Sequence, residues 1–420
     1  MSNRDDLAEE ERARLLAAVE ARAVEAIALA RWMTEHPELA LEEREASARY
    51  RSWLGDLGFC VAAPAAGMET AFIAVHGSDA APLRVALLAE MDALPEIGHA
   101  CGHSLSGPAT LLAASALAAV MPEDAVRLHV IGCPAEEIGV GKRCLVEAGA
   151  FADVDVALMA HAAGVRRAHR LFLGNRKFEF RYRGRAAHAA AYPERGVNAL
   201  DGVIALFVAI GLLRQQLPRG VRVHGIISDG GQAPNIIPEN ATARFWVRAL
   251  DDAELDDAVT RVLACANGAA TSTGTTLEVK TEPGTSPPLL PNLALAAVYR
   301  RQLERLGLDE SGPGPAEAIG SSDITHVSRV VPTIHPNFPI GDGVEIHSRA
   351  FAAAVASEAG ERGLVEAARA LALTVHDLAR DPVACAKIRD EFADRLRNSP
   401  IQVPENLALR LDSGLPCARG

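Results

Sequence analysis

The sequence predicts an α/β protein: a mostly parallel sheet sandwiched by helices, interrupted by an inserted two-layer α+β domain. Three observations carry that prediction. Apolar segments at residues 84–89, 126–131 and 154–160 are separated by helical stretches at 108–120 and 141–148, and strand-helix-strand alternation builds parallel sheets. The three segments are continuously apolar rather than alternating, as strands buried on both faces are. From about Gly174 the texture changes to alternating strands and charged helix, which marks a second domain. The first domain is therefore expected over 1–173 and 286–420, and the insertion over 174–285.

The totals agree with this division. A chain of 420 residues exceeds one ordinary core. With 54 acidic against 42 basic side chains the formal charge is -12, which argues against nucleic acid or an anionic membrane as partner. No apolar run in the sequence approaches the roughly 20 residues that span a bilayer. The acidic N-terminus lacks the layout of a signal peptide. The seven cysteines are odd in number and scattered, which favours a reducing compartment, so a cytoplasmic protein is expected.

Taken in order, residues 5–35 form an amphipathic helix, broken at His36-Pro37, and 42–57 a second helix ending at Gly58. Residues 59–76 give a strand pair at a sheet edge. In the insertion, strands are expected at 177–182, 221–228, 241–249 and 276–280, with helices at 196–217 and 251–266. After Pro287-Pro288 come a helix at 293–306, a loop at 311–322, a strand at 330–334 and a long alanine-rich helix at 350–378. Beyond Asp381 one more helix precedes an irregular end.

In open sheets of this kind ligands bind beyond the carboxyl ends of the strands. The first strand is followed by Asp92, Cys101 and His103, the second by Glu136 and Glu137, and the third by His161. Cys-x-His spacing lets a thiolate and an imidazole converge on one ion. Asp92 is placed to orient a ligating histidine. Of two adjacent glutamates, one can bind metal while the other handles the proton of a water. Each of these residues has an ordinary structural explanation; their coincidence at three strand ends points to a metal site.

The ordered set Ala89-Glu-Met-Asp92-Ala-Leu-Pro95, His99-Ala-Cys101-Gly-His103, Pro134-Ala-Glu136-Glu137, His161, Gly184-Arg-Ala-Ala-His188, Pro234-Asn235-Ile-Ile-Pro238, Gly320-Ser-Ser-Asp323 and His347-Ser resembles the metal-dependent amidohydrolases of aminoacylase and carboxypeptidase type. The resemblance is greatest to subfamily D, which includes hydrolases of indole-acetyl-amino acids, aminobenzoyl-glutamate and β-alanyl dipeptides. It implies two divalent ions, manganese or zinc with cobalt or nickel as further candidates, held by Cys101, His103, Glu137, His161 and His347. It implies Glu136 as general base and then general acid. It also implies a lid and dimerisation role for the insertion, giving a homodimer or higher homo-oligomer, with His188 reaching the partner's site to stabilise the oxyanion. Asn235 and Arg248 are implied to hold a small-molecule substrate. Two departures concern that substrate: Ser104 stands where the family usually has Asp or Asn, and His326, a candidate substrate contact, where relatives often carry Asn.

Hydrolysis of an amide is thus the expected reaction, on an N-acyl amino acid, a dipeptide or an aminobenzoyl-glutamate-like compound. An alternative keeps the site and changes the bond: hydrolytic deamination of an aromatic amine, releasing ammonia. A thiol enzyme using Cys101 and His103 would leave Glu136, Glu137, His161 and His347 without a role. A metal-stabilised binding protein would leave Glu136 without one.

Overall fold

The computed structural model describes residues 2–312 and 319–398; the expected irregular end, and half of the expected loop at 311–322, lie outside the described residues. In chain order the helices and strands are α1 (Ser2–Glu35), α2 (Arg44–Asp56), β1 (Cys60–Ala62), β2 (Phe72–His76), β3 (Arg84–Glu90), α3 (His103–Val120), β4 (Arg127–Cys133), α4 (Gly141–Glu147), β5 (Val156–Leu158) and β6 (His161–Ala163). Then follow β7 (Gly174–Arg183), α5 (Ala199–Leu213), β8 (Arg222–Asp229), β9 (Asn240–Ala249), α6 (Asp252–Thr273) and β10 (Thr276–Thr281). The chain continues with α7 (Leu293–Arg305), α8 (Ile324–Val327), β11 (Thr333–Ile334), β12 (Asn337–Pro339), α9 (Arg349–Val355), α10 (Glu358–Arg380) and α11 (Pro382–Asn398). These elements fall into two compact units, the second being Phe172–Leu289 and the first comprising the described chain on either side.

The first unit is built on a six-stranded sheet in the order β1-β2-β4-β3-β5-β11. Strands β4, β3, β5 and β11 run parallel, and the β1-β2 pair adds an antiparallel edge. Helix α3 connects β3 to β4 and is buried along most of its length, because alanine, leucine and serine surround it on every side. It packs on β3 and beneath α1 and α10. The second unit has β-α-β-β-α-β connectivity and a four-stranded antiparallel sheet in the order β10-β7-β9-β8, the ferredoxin-like arrangement. Phe178, Phe180, Tyr182, Phe245 and Val247 alternate onto the face covered by α5 and α6.

Four expectations are corrected. Helix α3 begins at His103 rather than at Pro108, which sits in its second turn at the loss of one backbone hydrogen bond. The strand expected at 154–160 stops at Leu158, and His161 opens the separate strand β6, paired in parallel with β12 at Asn337. The strand expected at 330–334 contracts to Thr333–Ile334, because Val330 and Val331 close a turn onto Val327. The helix expected at 350–378 is two helices: Ser357 Oγ accepts a hydrogen bond from Gly360 N at 3.3 Å and caps α10 as a new start. In addition, α3 and residues 199–216 are long and apolar enough to cross a membrane by length and composition. Helix α3 is a core helix; along α5, Ile204, Val208 and Leu212 form an exposed apolar stripe at four-residue spacing.

Asp377 joins three helices of the first unit. Its Oδ1 accepts from Arg12 of α1 at 3.2 Å, and its Oδ2 accepts from Gln302 and Arg305 of α7 at 2.9 and 2.5 Å. Burial favours the neutral acid, but the hydrogen bonds from His376, Arg305 and Gln302 outweigh it and hold the carboxyl well below the usual range. A depressed folded-state pKa contributes stability that is present above the unfolded value, near 4, and is lost as pH falls below it. Asp377→Asn is expected to cost about 2 kcal/mol at pH 7. In urea titrations the gap from wild type should narrow between about pH 4 and pH 2; a gap independent of pH would contradict the assignment.

Candidate metal centre

Backbone devices bring the strand ends to one pocket in the first unit. Cys101 and His103 flank Gly102, whose φ is +92° and whose added Cβ would lie 2.6 Å from Ala162 Cβ, so glycine is required there. After β4, Ala135 adopts φ +58° and turns Glu136 and Glu137 off the strand axis. The buried Glu43 holds that turn, its Oε1 accepting from Ala135 N at 2.8 Å. His347 adopts φ +63°, and its N–H donates to Ala100 O at 2.9 Å. Left-handed backbone at non-glycine residues costs of order 1–3 kcal/mol and is found where a site demands it.

The donors converge. One donor atom from each of Cys101, His103 and His161 lies within 4.8 Å of the others, and the same holds for Cys101, His103, Glu136 and Glu137. Cys101 Sγ is 3.6 Å from His161 Nε2, and His347 Nε2 is 3.4 Å from Glu137 Oε2. His103 Nδ1 lies 2.8 Å from the Asp92 carbonyl and 3.2 Å from Asp92 Oδ1. Both the backbone carbonyl and the carboxylate of Asp92 thus stand against this ring nitrogen. Asp92 Oδ2 instead accepts from Glu137 N at 3.0 Å, fixing the next donor. His161 Nδ1 is 2.7 Å from Ala162 O. Each Nδ1 is set against a carbonyl oxygen, which turns the Nε2 atoms of both rings toward the pocket.

The pocket's chemistry fits divalent cations. His103 Nε2 and Glu137 Oε1 are buried and make no hydrogen bond. Burial, then the neighbouring Glu136 carboxylate, pushes Glu137 up to about 8, and burial drives the Cys101 thiol well above its ordinary value. Burial also lowers His161. A thiolate, imidazoles and carboxylates crowded out of water need positive charge among them, and this donor set suits zinc, manganese or cobalt.

Behind these donors lies a buried triad that sequence reasoning missed. Lys142 Nζ is 2.5 Å from both Glu90 Oε1 and Asp323 Oδ1, and Asp323 Oδ2 accepts from Lys142 N at 2.9 Å. Burial opposes the ammonium, but Asp323 and Glu90 hold its pKa well above the usual lysine value. The available signal was an acid ending an apolar strand and a lone lysine in a buried helix. His335, also missed, stacks on His161 with ring centroids 5.1 Å apart. Ser104 is buried and accepts from Thr34 Oγ1 at 3.0 Å, while His326 is half-buried in α8, three residues beyond Asp323.

His188, Asn235 and Arg248 belong to the second unit. The exposed His188 and Asn235 lie on loops stitched together by Ala189 N to Asn235 O at 3.0 Å and Ile237 N to Ala187 O at 3.0 Å. Arg248 is not brought to them: Asn240 of β9 pairs with Arg183, whereas Arg248 pairs with Asn175 at the strand's other end, about 26 Å along it. Its guanidinium lies over Trp246, 5.2 Å from the ring centroid.

Residues 173–273 match the peptidase dimerisation domain family. The chain is 37% identical over 391 residues to the Xaa-Arg dipeptidase of Mus musculus, covering 89% of this chain and 90% of the relative. It is 34% identical over 301 residues to a p-aminobenzoyl-glutamate hydrolase polypeptide of Escherichia coli, covering 66% of this chain and 61% of that relative. The fold matches a dinuclear metal binding peptidase of Bacillus subtilis with a TM-score of 0.67 at 20% identity, covering 86% of this chain and 99% of that one. Relatives of this kind, with a sheet whose strand ends gather these donors, define a metal-dependent amidohydrolase. The chain belongs to the M20 peptidase family.

Cobalt-loaded wild type is expected to show thiolate-to-cobalt charge-transfer absorption that Cys101→Ser abolishes. An unchanged spectrum would remove Cys101 from the ligand set.

Proposed function

We propose that the protein hydrolyses the amide bond of small dipeptides, those ending in a basic residue being the first candidates, with Glu136 moving the proton. The observation that carries this reading is the convergence of Cys101, His103, His161 and Glu137 with Glu136 beside them. The relative of 37% identity that hydrolyses Xaa-Arg dipeptides supports the substrate class.

Divalent ions, when bound, supply Lewis acidity, making water more acidic and drawing charge from the amide carbonyl. Cys101, His103, His161, Glu137 and His347 would hold them. The Glu136 carboxylate is only slightly exposed, and its Oε2 stands 4.0 Å from His103 Nε2, beside the ligand cluster but free to receive a proton. In this role Glu136 takes the proton from the attacking water and delivers it to the departing amine. His188 stabilises the oxyanion in the partner subunit, as the resemblance implies. Asn235 contacts substrate from the neighbouring loop. Arg248, at the far end of its strand, helps hold the substrate, as the resemblance implies.

The second unit supports a homodimer. The α5 stripe of Ile204, Val208 and Leu212 and the residues Ile226 and Ile227 on edge strand β8 leave apolar surface uncovered on this unit. Val208→Asp with Leu212→Asp should give a monomer by light scattering, and a persistent dimer would relocate the interface.

Glu136→Gln is expected to retain the full metal complement while kcat falls about 10²–10⁴-fold. Turnover should be followed on a panel of dipeptides, N-acyl amino acids, aminobenzoyl-glutamate and aromatic amines. Release of free amino acid from a dipeptide is the expected result. Ammonia from the amines with no amide cleavage would replace this reading by deamination.

A further inference from the structure

We infer that Glu43 is a positioning residue for the reaction, setting the direction of Glu136 through the backbone turn that precedes it; this rests on the reading of Glu136 as the proton carrier. Glu43 stands at the N-terminal cap of α2, where a polar side chain ordinarily accepts from the first N–H groups of the helix. It makes no such bond. Glu38 does so in its place, its Oε1 and Oε2 accepting from Glu45 N and Ala46 N at 3.0 and 2.8 Å. The Glu43 carboxylate is left for another task, and it is wholly buried.

One oxygen of that carboxylate serves two distant pieces of chain. Oε1 accepts from Leu41 N at 2.9 Å and from Ala135 N at 2.8 Å, while Oε2 accepts from Thr70 Oγ1 at 2.9 Å. Leu41 and Ala135 both have left-handed backbone, with φ of +67° and +58°, a conformation that persists in residues bearing a Cβ only where the surroundings hold it. Ala135 has no exposed surface, so without Glu43 its N–H would be a buried donor with no acceptor and the strained turn would lose its tie. Burial, then the nearby Asp92 carboxylate, raises the Glu43 pKa, but Oε1 can accept both bonds whether the acid is ionised or neutral.

The turn matters because little else directs Glu136. Among the described residues its carboxylate makes no hydrogen bond, and His103 Nε2 stands 4.0 Å from its Oε2. Glu137, by contrast, has an anchor of its own, Asp92 Oδ2 accepting from its N–H at 3.0 Å. Glu136 lies between these two ties, so the φ of Ala135 decides the direction in which its side chain leaves the backbone. If that φ relaxes to the ordinary right-handed region, the peptide plane leading into Glu136 turns while Asp92 keeps Glu137 in place. Loss of Glu43 therefore misdirects the proton carrier and spares the metal donor beside it.

The test is steady-state kinetics with elemental analysis on Glu43→Ala, Glu43→Gln and Glu136→Gln beside wild type, using the member of the substrate panel above that wild type turns over fastest. Glu43→Ala is expected to keep the wild-type metal content and a KM within about 3-fold while kcat falls about 100-fold, the scale on which a misplacement near 1 Å acts. Glu43→Gln, whose amide oxygen can accept from both backbone N–H groups, should recover about 10-fold or more of that loss. A residue that only supports the fold would lower the urea midpoint and leave kcat per folded molecule unchanged. A fall of less than about 10-fold in Glu43→Ala, a fall matched by lost metal, or a smaller recovery by glutamine would overturn the inference and leave the Glu136 reading intact. A wild type idle on the whole panel, or Glu136→Gln as active as wild type, would overturn that reading and the inference with it. Should Glu43→Ala fail to fold, Glu43→Asp decides, since it keeps the acid and draws its oxygens back by about 1.5 Å. A kcat fall of about 10-fold or more with metal retained supports the inference, and a smaller fall refutes it.

Discussion

The arrangement around Cys101 depends on one electrostatic constraint: too many electron-rich groups share too little water. Glu90, Asp92, Cys101, Glu137 and Asp323 are buried or nearly so within the same region, and Lys142 is the buried cation that pairs with Glu90 and Asp323. Carboxylates desolvated at such spacing repel, as the upward push on Glu137 records. Lys142 balances the rear of the cluster. At the front the balance has to come from ions, and the inward-facing Nε2 atoms of His103 and His161 show where.

Such a cluster is tolerable only because the scaffold over-determines it. The donors are attached to strand ends and helix starts inside a close-packed core, so none can relax away from its neighbours. The His103 and His161 rings are oriented by main-chain carbonyls, which do not titrate. Left-handed backbone at Ala135 and His347 turns side chains inward, and Glu43 and Ala100 hold those conformations by hydrogen bonds to backbone N–H groups. Stability is thereby given up for geometry that serves the site.

Much of this was legible in the sequence because it was written in period and position. Continuous apolar runs gave β3 and β4, alternation gave β7 and β9, and polar residues just beyond apolar runs gave Asp92, Cys101, His103, Glu136 and Glu137. What escaped depended on tertiary pairing. Glu90 and Lys142 drew no assignment, since nothing local says that they meet across 52 positions. The start of α3 at His103 was hidden by Pro108, a residue that ordinarily reads as a beginning. The break before α10 rests on the single hydroxyl of Ser357 in an otherwise uninterrupted alanine-rich run. Strand register sets Arg248 at the opposite end of β9 from Asn240, a separation that residue type alone does not reveal.

The most direct test of the account is elemental analysis of protein purified without chelators, paired with dipeptide turnover before and after the metal is stripped. The account predicts close to two divalent ions per chain, turnover that disappears when they are removed, and recovery on adding manganese or zinc. Full turnover by protein shown to contain no metal would contradict it.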